Sequence, residues 1–288
     1  MEKLSNINTV KDILQRHGFT FSKSLGQNFL INPSVCPKMA EECGVDSDSG
    51  VIEVGPGIGV LTNELAKRAK KVVAVELDKR LLPVLDETLG EYDNVKVINE
   101  DVMKLDLNKL IEEEFKGMKV CVCANLPYYI TSPIVMRLLE EKLSVTSITV
   151  MVQKEAAQRI CAEVGTRQCG AVTAAVWYYS RPELLFHVSS GSFMPAPKVD
   201  SAVIRLNIRK EPAVSVKDEK LFFKTVRAAF SQRRKNIANS LSTGLSMNKQ
   251  DIISLLEDCS IPSLKRAEEL SMEELGKISD RLSDLFKN

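Results

Sequence analysis

The 288-residue chain is long enough for about two domains, or for one large domain. Its hydrophobic fraction of 44% and charged fraction of 27% are those of an ordinary globular protein, and a net charge of +1 does not point to any class of partner. No apolar run reaches the ~18 residues that a membrane helix needs, and the N-terminus lacks an apolar signal segment. We therefore expect neither a membrane span nor a signal peptide.

The histidine and cysteine content argues against metal chemistry. The two histidines, His17 and His187, are far apart in the sequence. None of the seven cysteines forms a C-x-x-C pair, and Cys121 and Cys123 alternate within an apolar segment, where cysteine behaves as a small hydrophobe. We expect no bound metal and no histidine-based catalytic triad. This cysteine usage suits a reducing compartment, so we expect a cytoplasmic protein.

The N-terminal part of the chain predicts two helices separated by a loop. Residues 8–17 have the pattern of a short helix that ends at Gly18. Residues 19–30 are polar and aromatic without clear periodicity, which indicates a loop. Pro33 suits the first turn of a second helix that continues to about residue 43.

Residues 51–152 alternate between apolar strands and amphipathic helices. The strands are predicted near 51–54, 71–76, 95–99, 120–124 and 145–152. The helices are predicted near 60–69, 79–89, 107–115 and 132–141. This alternation predicts an α/β fold with a parallel sheet and right-handed crossovers.

The remaining third of the chain predicts the end of the sheet and then a helical domain. Helices at 153–162 and 171–179 are followed by strands at 182–187 and 203–208, which we expect to finish the sheet as an antiparallel pair. Residues 209–217 contain Pro212 and no periodicity, which indicates a linker, and apolar residues recur at helical spacing from Asp218 onward. We therefore expect an α/β domain at 1–209 and a small all-helical domain at 210–288.

A glycine-rich turn follows the first strand of the alternating region. Glu53 lies near the end of that strand, and Gly55-Pro56-Gly57-Ile58-Gly59 allows a tight turn that approaches a ligand closely. Glu76 lies 17 residues beyond Gly59, close to the spacing at which an acid binds ribose hydroxyls. The pattern differs from the G-x-G-x-x-G dinucleotide motif, and no Lys-Ser/Thr follows, which excludes a P-loop. The form resembles the S-adenosylmethionine site of Rossmann-like methyltransferases.

A second motif, Asn125-Leu126-Pro127-Tyr128, ends the strand at 120–124. Ligands of open α/β sheets bind outside the carboxyl ends of the strands. The Asn125 side-chain carbonyl can accept a hydrogen bond from an exocyclic amine, and Tyr128 can stack on a heteroaromatic ring. Asp101, which follows the third strand, can accept a hydrogen bond from the adenine amine of a bound cofactor. These residues indicate chemistry on the amino group of a base.

An adenine amine is a poor nucleophile because its lone pair is delocalised into the ring. Hydrogen bonds accepted by the Asn125 side chain and the Leu126 carbonyl would localise that lone pair, and methyl transfer then needs positioning rather than a strong base. Phe193, in a proline-bounded loop, is predicted to form the second aromatic wall opposite Tyr128. A base in structured nucleic acid must leave its stack to reach such a pocket.

Basic residues concentrate late in the sequence. Between Arg205 and Ser240 there are ten lysines and arginines against three acids. This asymmetry indicates a surface that contacts nucleic acid. Within it we expect Arg233, Arg234 and Lys235 to bind RNA.

Five segments together resemble one family across almost the whole chain. They are Ser24-Leu25-Gly26-Gln27-Asn28-Phe29-Leu30, Glu53 to Gly59, Asn125-Leu126-Pro127-Tyr128-Tyr129-Ile130, Phe193-Met194-Pro195-Ala196-Pro197-Lys198-Val199-Asp200-Ser201, and Ala229-Phe230-Ser231-Gln232-Arg233-Arg234-Lys235. The order resembles the bacterial small-subunit (16S) ribosomal RNA adenine dimethyltransferase family. The resemblance implies a Rossmann-like class I S-adenosylmethionine-dependent methyltransferase sheet with a small C-terminal all-helical domain.

The resemblance also implies an activity and its site. It implies dimethylation of two adjacent adenines near the 3′ end of 16S rRNA, on an immature small subunit, as a step in ribosome biogenesis. It implies that S-adenosylmethionine contacts Asn28, Leu30, Gly55, Glu76, Asp101 and Asn125. Gln27, Glu53 and Gly57 belong to the same motifs and are expected at the cofactor, while Asn125, Leu126, Pro127, Tyr128 and Phe193 are expected at the catalytic centre. Tyr129 stands where the family often has asparagine. We expect a monomer.

Three other functions remain open from the sequence. One is a methyltransferase that modifies a single adenine of the large-subunit (23S) RNA and confers antibiotic resistance. Another is a non-catalytic RNA-binding assembly factor that retains the fold, and the third is a small-molecule methyltransferase. The Phe193 segment together with residues 229–235 favours the small-subunit enzyme over the first. The intact Gly55, Glu76, Asp101 and Asn125 argue against the second, and the basic helical region argues against the third.

Overall fold

A computed structural model describes residues 4–20 and 27–287. Residues 21–26, which are half of the loop predicted at 19–30 and include Ser24, Leu25 and Gly26 of the first matched segment, lie outside these residues. The described chain forms two compact units, one from Met1–Ala157 with Glu183–Ile208 and the other from Gln158–Pro182 with Arg209–Asn288. None of the helices in the described ranges has the length and apolarity to cross a lipid bilayer.

Helices and strands alternate along most of the described chain. The helices are α1 (Ile7–Arg16), α2 (Val35–Glu42), α3 (Val60–Ala66), α4 (Leu82–Leu89), α5 (Leu107–Glu114), α6 (Thr131–Glu140), α7 (Lys154–Ile160), α8 (Ala171–Tyr179), α9 (Glu219–Ala229), α10 (Ile237–Leu245), α11 (Lys249–Asp258) and α12 (Met272–Lys287). The strands are β1 (Phe29–Leu30), β2 (Ser49–Val54), β3 (Lys71–Glu76), β4 (Val95–Asn99), β5 (Lys119–Asn125), β6 (Ser147–Gln153), β7 (Ser180–Val188), β8 (Phe193–Met194) and β9 (Ser201–Ile208).

The main sheet has the order β4-β3-β2-β5-β6-β9-β7, and its first five strands are parallel. From β2 the chain moves outward to β3 and β4 and then returns to place β5 on the other side of β2. The register pairs Val54 of β2 with Ala124 of β5, so Gly55 and Asn125 follow at neighbouring positions. This is a topological switch point, where α/β sheets bind ligands.

The last two strands of the main sheet, β9 and β7, are neighbours and finish the sheet, as predicted. Strand β9 lies between β6 and β7 and pairs antiparallel with β6, from Ser147–Asn207 to Gln153–Ser201. Strand β7 comes first in the sequence but takes the edge position, and β9 then lies between β7 and β6. The sequence predicted these two strands as a pair, but periodicity did not specify which of them lies against β6.

A two-stranded sheet links two segments that are distant in sequence. Strand β1 pairs antiparallel with β8, with Phe29 opposite Met194 and Leu30 opposite Phe193. The Ile31 N–H also donates to the Ser192 carbonyl at 2.9 Å. Phe193 therefore lies in a short strand rather than in the predicted loop.

The second unit is helical and includes more of the chain than residues 210–288. Helix α8 belongs to it because Tyr178 and Tyr179 pack on Phe222 and Phe223 of α9, with ring centroids 4.9–5.4 Å apart. Aromatic rings buried in this way contribute strongly to packing. In the sequence this helix comes before the last strands of the sheet. The helical domain predicted at 210–288 therefore does not include residues 158–182.

Residues 209–217 lack helix and strand, as predicted, but they are fastened to α12. The Lys217 backbone N–H donates to Asp280 at 2.8 Å, and its Nζ lies 2.6 Å from an Asp284 oxygen. Val214 lies close to Gly276 of α12, because a Cβ added to Gly276 would be 2.8 Å from a methyl group of Val214. This segment is therefore part of the helical unit rather than a free connector.

Helices α9 and α10 approach closely at Gly244. A Cβ on this residue would lie 2.6 Å from the Ala228 Cβ and 2.7 Å from its Cα, so the helices would have to separate. We expect Gly244→Ala to reduce the free energy of unfolding of the second unit by about 1–3 kcal/mol because of this overpacking. Hydrogen exchange of the α9 and α10 amides measures the loss.

Gly191→Ala is the matched control, because a Cβ there meets its nearest atom, the Ser189 Oγ, at 3.7 Å. We expect that variant to exchange like the wild type. Unchanged exchange in α9 and α10 of Gly244→Ala would contradict the packing described here.

Candidate active site

Most of the residues predicted from the sequence line one cavity at the switch point. It brings together Gln27, Asn28, Leu30, Glu53, Gly55, Gly57, Glu76, Asn125, Leu126, Pro127, Tyr128 and Phe193. Asp101 lines an adjoining cavity that shares Gly55, Glu76 and Pro127 with the first. The two cavities adjoin at the carboxyl ends of β2, β3 and β5, and together they are called the crevice below.

The glycine turn provides an open cradle on one side of this crevice. The Gly55 N–H donates to the Val75 carbonyl at 2.9 Å, which holds the turn to β3. Gly55 has φ +70° and Gly57 has φ +62°, values that disfavour any residue with a side chain. A Cβ on Gly55 would meet no described atom within 4 Å, whereas one on Gly57 would press on the Phe29 ring at 3.1 Å. The backbone at Gly55 is thus left accessible to a ligand.

Glu76 is a buried carboxylate held by backbone donors. One oxygen accepts from the Gly57 N–H at 3.3 Å and the other from the Asp78 N–H at 2.8 Å. Its own carbonyl accepts from the Asn99 side chain at 2.7 Å, which ties β3 to β4. Burial raises the pKa of Glu76. The orientation of this carboxylate is therefore set before any ligand binds.

Glu53 is more deeply buried, with an exposed fraction of 1%. Its Oε2 atom has no hydrogen-bond partner among the described residues. Burial raises the pKa of Glu53 to about 8, and the nearby Glu76 shifts it in the same direction. An ammonium group brought into the cavity would provide the missing donor and favour the charged carboxylate.

Asp101 precedes a turn and lines the adjoining cavity. Its Oδ1 accepts from the Met103 N–H at 2.9 Å, so the side chain also caps that turn. Leu77 and Tyr129 line the same cavity and are 50% and 58% exposed. The adjoining cavity therefore combines a carboxylate with accessible apolar surface, as a purine ring requires.

The Asn125 motif lies directly beside the glycine turn. Among the described residues none forms a hydrogen bond with the Asn125 side chain, whereas the Leu126 N–H donates to the Met151 carbonyl at 3.2 Å. The hydroxyl groups of Tyr128 and Ser201 are 2.6 Å apart, and burial raises the pKa of the Tyr128 phenol. The ring of Tyr128 is thus held in place while the Asn125 amide stays available.

The first and fourth matched segments reach the cavity through the β1–β8 pair. Phe193 is only 3% exposed and lines the same cavity as Tyr128. Gln27 donates from its side chain to Asp78 at 2.8 Å. The Arg80 guanidinium, bonded to the same carboxylate at 2.7 Å, lowers the pKa of Asp78. These bonds connect the segment before β1 to the end of β3.

The three basic residues lie elsewhere, in the second unit. Arg233, Arg234 and Lys235 are exposed in the turn between α9 and α10. None of the three forms an ion pair within the described part of the chain. The described residues also contain no group of three or more His, Cys, Asp or Glu side chains placed to bind a metal ion.

Two contacts at the site were not predicted. Ser201 holds the hydroxyl of Tyr128, and the only feature of the sequence that pointed to Ser201 was its place at the end of the matched segment that begins at Phe193. Asp78 binds Gln27, and its signal was its position just beyond Glu76 at the end of a strand. Both contacts join residues more than 50 positions apart, a separation that periodicity does not resolve.

These residues fit S-adenosylmethionine. Gly55 leaves its backbone open, Glu76 presents a carboxylate of fixed orientation to the cavity, and one oxygen of the buried Glu53 has no hydrogen-bond partner among the described residues. The fold and this site define a class I S-adenosylmethionine-dependent methyltransferase with a second, helical unit.

Comparison with known proteins specifies the family. The chain matches the ribosomal RNA adenine dimethylase family over residues 18–284 and belongs to that family. A ribosomal RNA small subunit methyltransferase A of Alkaliphilus oremlandii is 50% identical over 284 residues, which are 98% of this chain and 99% of that protein. The protein of the same description in Bacillus licheniformis is 49% identical over 280 residues, 96% of each chain.

Two solved structures are also similar. A dimethyladenosine transferase from Plasmodium falciparum is 25% identical, with a TM-score of 0.73 over 90% of this chain and 98% of that one. The 23S rRNA methyltransferase ErmE is 28% identical, with a TM-score of 0.67 over 89% of this chain and all of that one. The fold is thus shared with an enzyme named for 23S rRNA, so the fold alone does not specify the RNA substrate.

Glu53 predicts a pH dependence of stability. The pKa of Glu53 is about 8 in the folded protein, whereas the pKa of a glutamate in the unfolded chain is ~4.3. Between these values the unfolded chain has lost a proton that the folded protein retains, so wild-type stability falls as the pH rises. We expect the stability of Glu53→Gln relative to wild type to increase from about pH 5 to about pH 8, by at most ~1.4 kcal/mol per unit, and then to level off.

Urea denaturation of both proteins across this range measures the difference. Two stability curves that run parallel from pH 5 to 9 would contradict a raised pKa of Glu53.

Proposed function

We propose that this protein transfers methyl groups from S-adenosylmethionine to the N6 amines of two adjacent adenines near the 3′ end of 16S rRNA. The product is N6,N6-dimethyladenosine, and the step belongs to small-subunit biogenesis. The observation that carries the proposal is the Asn125-to-Tyr128 motif beside the Gly55 turn at the switch point. The small-subunit methyltransferases that are about half identical over nearly the whole chain support it.

The cofactor would occupy the crevice from the glycine turn to Asp101. Glu76 accepts hydrogen bonds from the ribose hydroxyls, Asp101 accepts from the adenine amine, and Glu53 faces the ammonium group. Gln27, Asn28, Leu30, Gly55 and Gly57 complete the walls around the methionine portion. When bound, S-adenosylmethionine supplies an electrophilic methyl group carried on a sulfonium.

Asn125 would prepare the target amine. Its side-chain carbonyl and the Leu126 backbone carbonyl each accept one hydrogen from the adenine N6 group. When both hydrogens are held in this way, the nitrogen lone pair is localised toward the methyl group instead of being delocalised into the ring. Pro127 fixes the backbone between these acceptors and Tyr128, so their spacing does not depend on ligand binding.

Two aromatic side chains would hold the target base. Tyr128 stacks on one face, with its hydroxyl fixed by Ser201 at 2.6 Å, and Phe193 bounds the other side of the pocket. Stacking of this kind replaces the contacts that a base loses when it leaves its helix. The base would therefore be extruded from the RNA before methylation.

The helical unit would contact the RNA. Arg233, Arg234 and Lys235 are exposed and lack ion pairs among the described residues, so they are available to phosphates. We propose that the protein acts as a monomer in the cytoplasm on an immature small subunit. The α/β and helical regions would thus divide catalysis and RNA binding.

Asn125→Ala separates binding from chemistry. We expect the variant to bind S-adenosylhomocysteine within about threefold of wild type but to lose about 100-fold or more in methyl transfer, because one of the two acceptors for the amine is removed. Isothermal titration and labelled-methyl incorporation measure the two effects. Asn108→Ala, on the exposed surface of α5, is the matched control and should behave as wild type. Wild-type turnover in Asn125→Ala would remove this residue from the reaction.

Methyl incorporation into small subunits that lack the modification tests the proposed activity. We expect dimethyladenosine at two neighbouring positions of 16S rRNA after nucleoside analysis and site mapping. A single methylated adenine in 23S rRNA would instead support the large-subunit alternative. Binding of cofactor and subunits without any incorporation would support a non-catalytic assembly factor.

A further inference from the structure

The second unit exposes a leucine near its basic residues. Leu264 is 80% exposed, the largest fraction among the large apolar side chains of the described residues. A single exposed leucine is common on protein surfaces and has no meaning by itself. Whether Leu264 contacts a partner therefore depends on the backbone and the charges around it.

Leu264 lies in a turn, Pro262–Lys265, that is fastened to the start of α10. The Lys265 carbonyl accepts from the Ile237 N–H at 2.7 Å, and the Ser263 carbonyl accepts from the Ala238 N–H at 3.4 Å. The turn itself is closed by the Lys265 N–H and the Pro262 carbonyl at 3.1 Å. These bonds hold the leucine outward on a fixed backbone.

The same end of α10 carries the basic turn formed by Arg233, Arg234 and Lys235. Asn236 caps the helix, with its side chain accepting from the Asn239 N–H at 3.0 Å, so the basic turn directly precedes the first helical turn. Arg233 also lines a cavity together with Ala267 and Glu268, just beyond the leucine turn. Leu264 and the basic turn therefore lie on one surface of the helical unit.

The charges around Leu264 favour a polyanion. Arg266 is exposed and, like the basic turn, has no ion pair within the described ranges. Lys265 is already paired with Glu274 at 2.7 Å, and one oxygen of Glu269 accepts from the Arg266 backbone N–H at 2.6 Å. An apolar side chain among unpaired cations is complementary to nucleic acid, in which sugar and base edges alternate with phosphates.

We propose that Leu264 packs against a ribose or an unstacked base of the small-subunit RNA, while the basic turn and Arg266 bind the flanking phosphates. The proposal rests on the proposed function and deepens it by adding an uncharged contact to the RNA surface. The wide, shallow minor groove of an RNA helix exposes sugars and base edges to such a side chain. In the minor groove of DNA, leucine and other apolar side chains insert between base steps, which shows that such side chains contact unstacked bases.

The affinity for unmodified small subunits at several salt concentrations tests this contact. Leu264→Ser should bind about tenfold more weakly at every salt concentration, because it loses buried apolar area but no charge. Its log–log salt slope should equal that of the wild type. Arg234→Gln should instead lower the slope by about 0.7 to 0.9, because one phosphate contact is lost.

Leu285→Ser is the matched control, since Leu285 is 42% exposed in the same unit near the end of α12. It should bind like the wild type. Affinity of Leu264→Ser equal to that of the control would overturn the proposal.

Photo-crosslinking distinguishes RNA from a protein partner. With Leu264→p-benzoylphenylalanine, an adduct that ribonuclease removes supports the proposal, and an adduct with a ribosomal protein overturns it. Neither readout uses catalysis. A wild-type protein that binds subunits without methylating them would therefore contradict the proposed function and leave the Leu264 result interpretable.

Discussion

The parallel pairing of β2 with β5 is the constraint on which the site depends. Its register places Val54 beside Ala124, so the glycine turn and Asn125 leave the sheet next to each other. In the proposed function, the turn lies on the cofactor side of the crevice and Asn125 lies on the substrate side. Strand β5 is buried on both faces, so a shift of this register by one residue would move Asn125 along β2 and disturb the packing of every side chain from Val120 to Ala124. The core thus enforces the geometry of the crevice.

Segments outside the parallel sheet complete the pocket through a few specific contacts. The β1–β8 pair delivers Phe193 beside the residues that precede β1, and the Tyr128–Ser201 bond joins the asparagine motif to the start of β9. Gln27 adds a link to Asp78 at the end of β3. The walls of the site thus come from both ends of the α/β region, although the central strands determine where it forms.

The carboxylates of the site show how burial prepares a protein for a charged ligand. Glu76 has both oxygens on backbone N–H groups, whereas Glu53 has an oxygen without a partner among the described residues, and burial raises the pKa of both. A buried acid with an unsatisfied oxygen lowers stability until a donor arrives. In the helical unit the basic turn has the opposite character, because it is exposed and suited to an extended polyanion.

The amino-acid sequence by itself determined the alternating α/β region, the ends of most strands and helices, and the residues that the glycine turn and the Asn125 motif bring to the crevice, whereas Asn28 and Leu30 were expected only from the family resemblance. These follow from local periodicity and from motifs at strand ends, which need no knowledge of long-range pairing. Tertiary structure alone decided the inner position of β9, the β1–β8 pair, the partners of Tyr128 and Gln27, and the membership of α8 in the helical unit. Each of these joins residues that are distant in sequence, and such contacts are selected by the packing of whole elements rather than by local propensity.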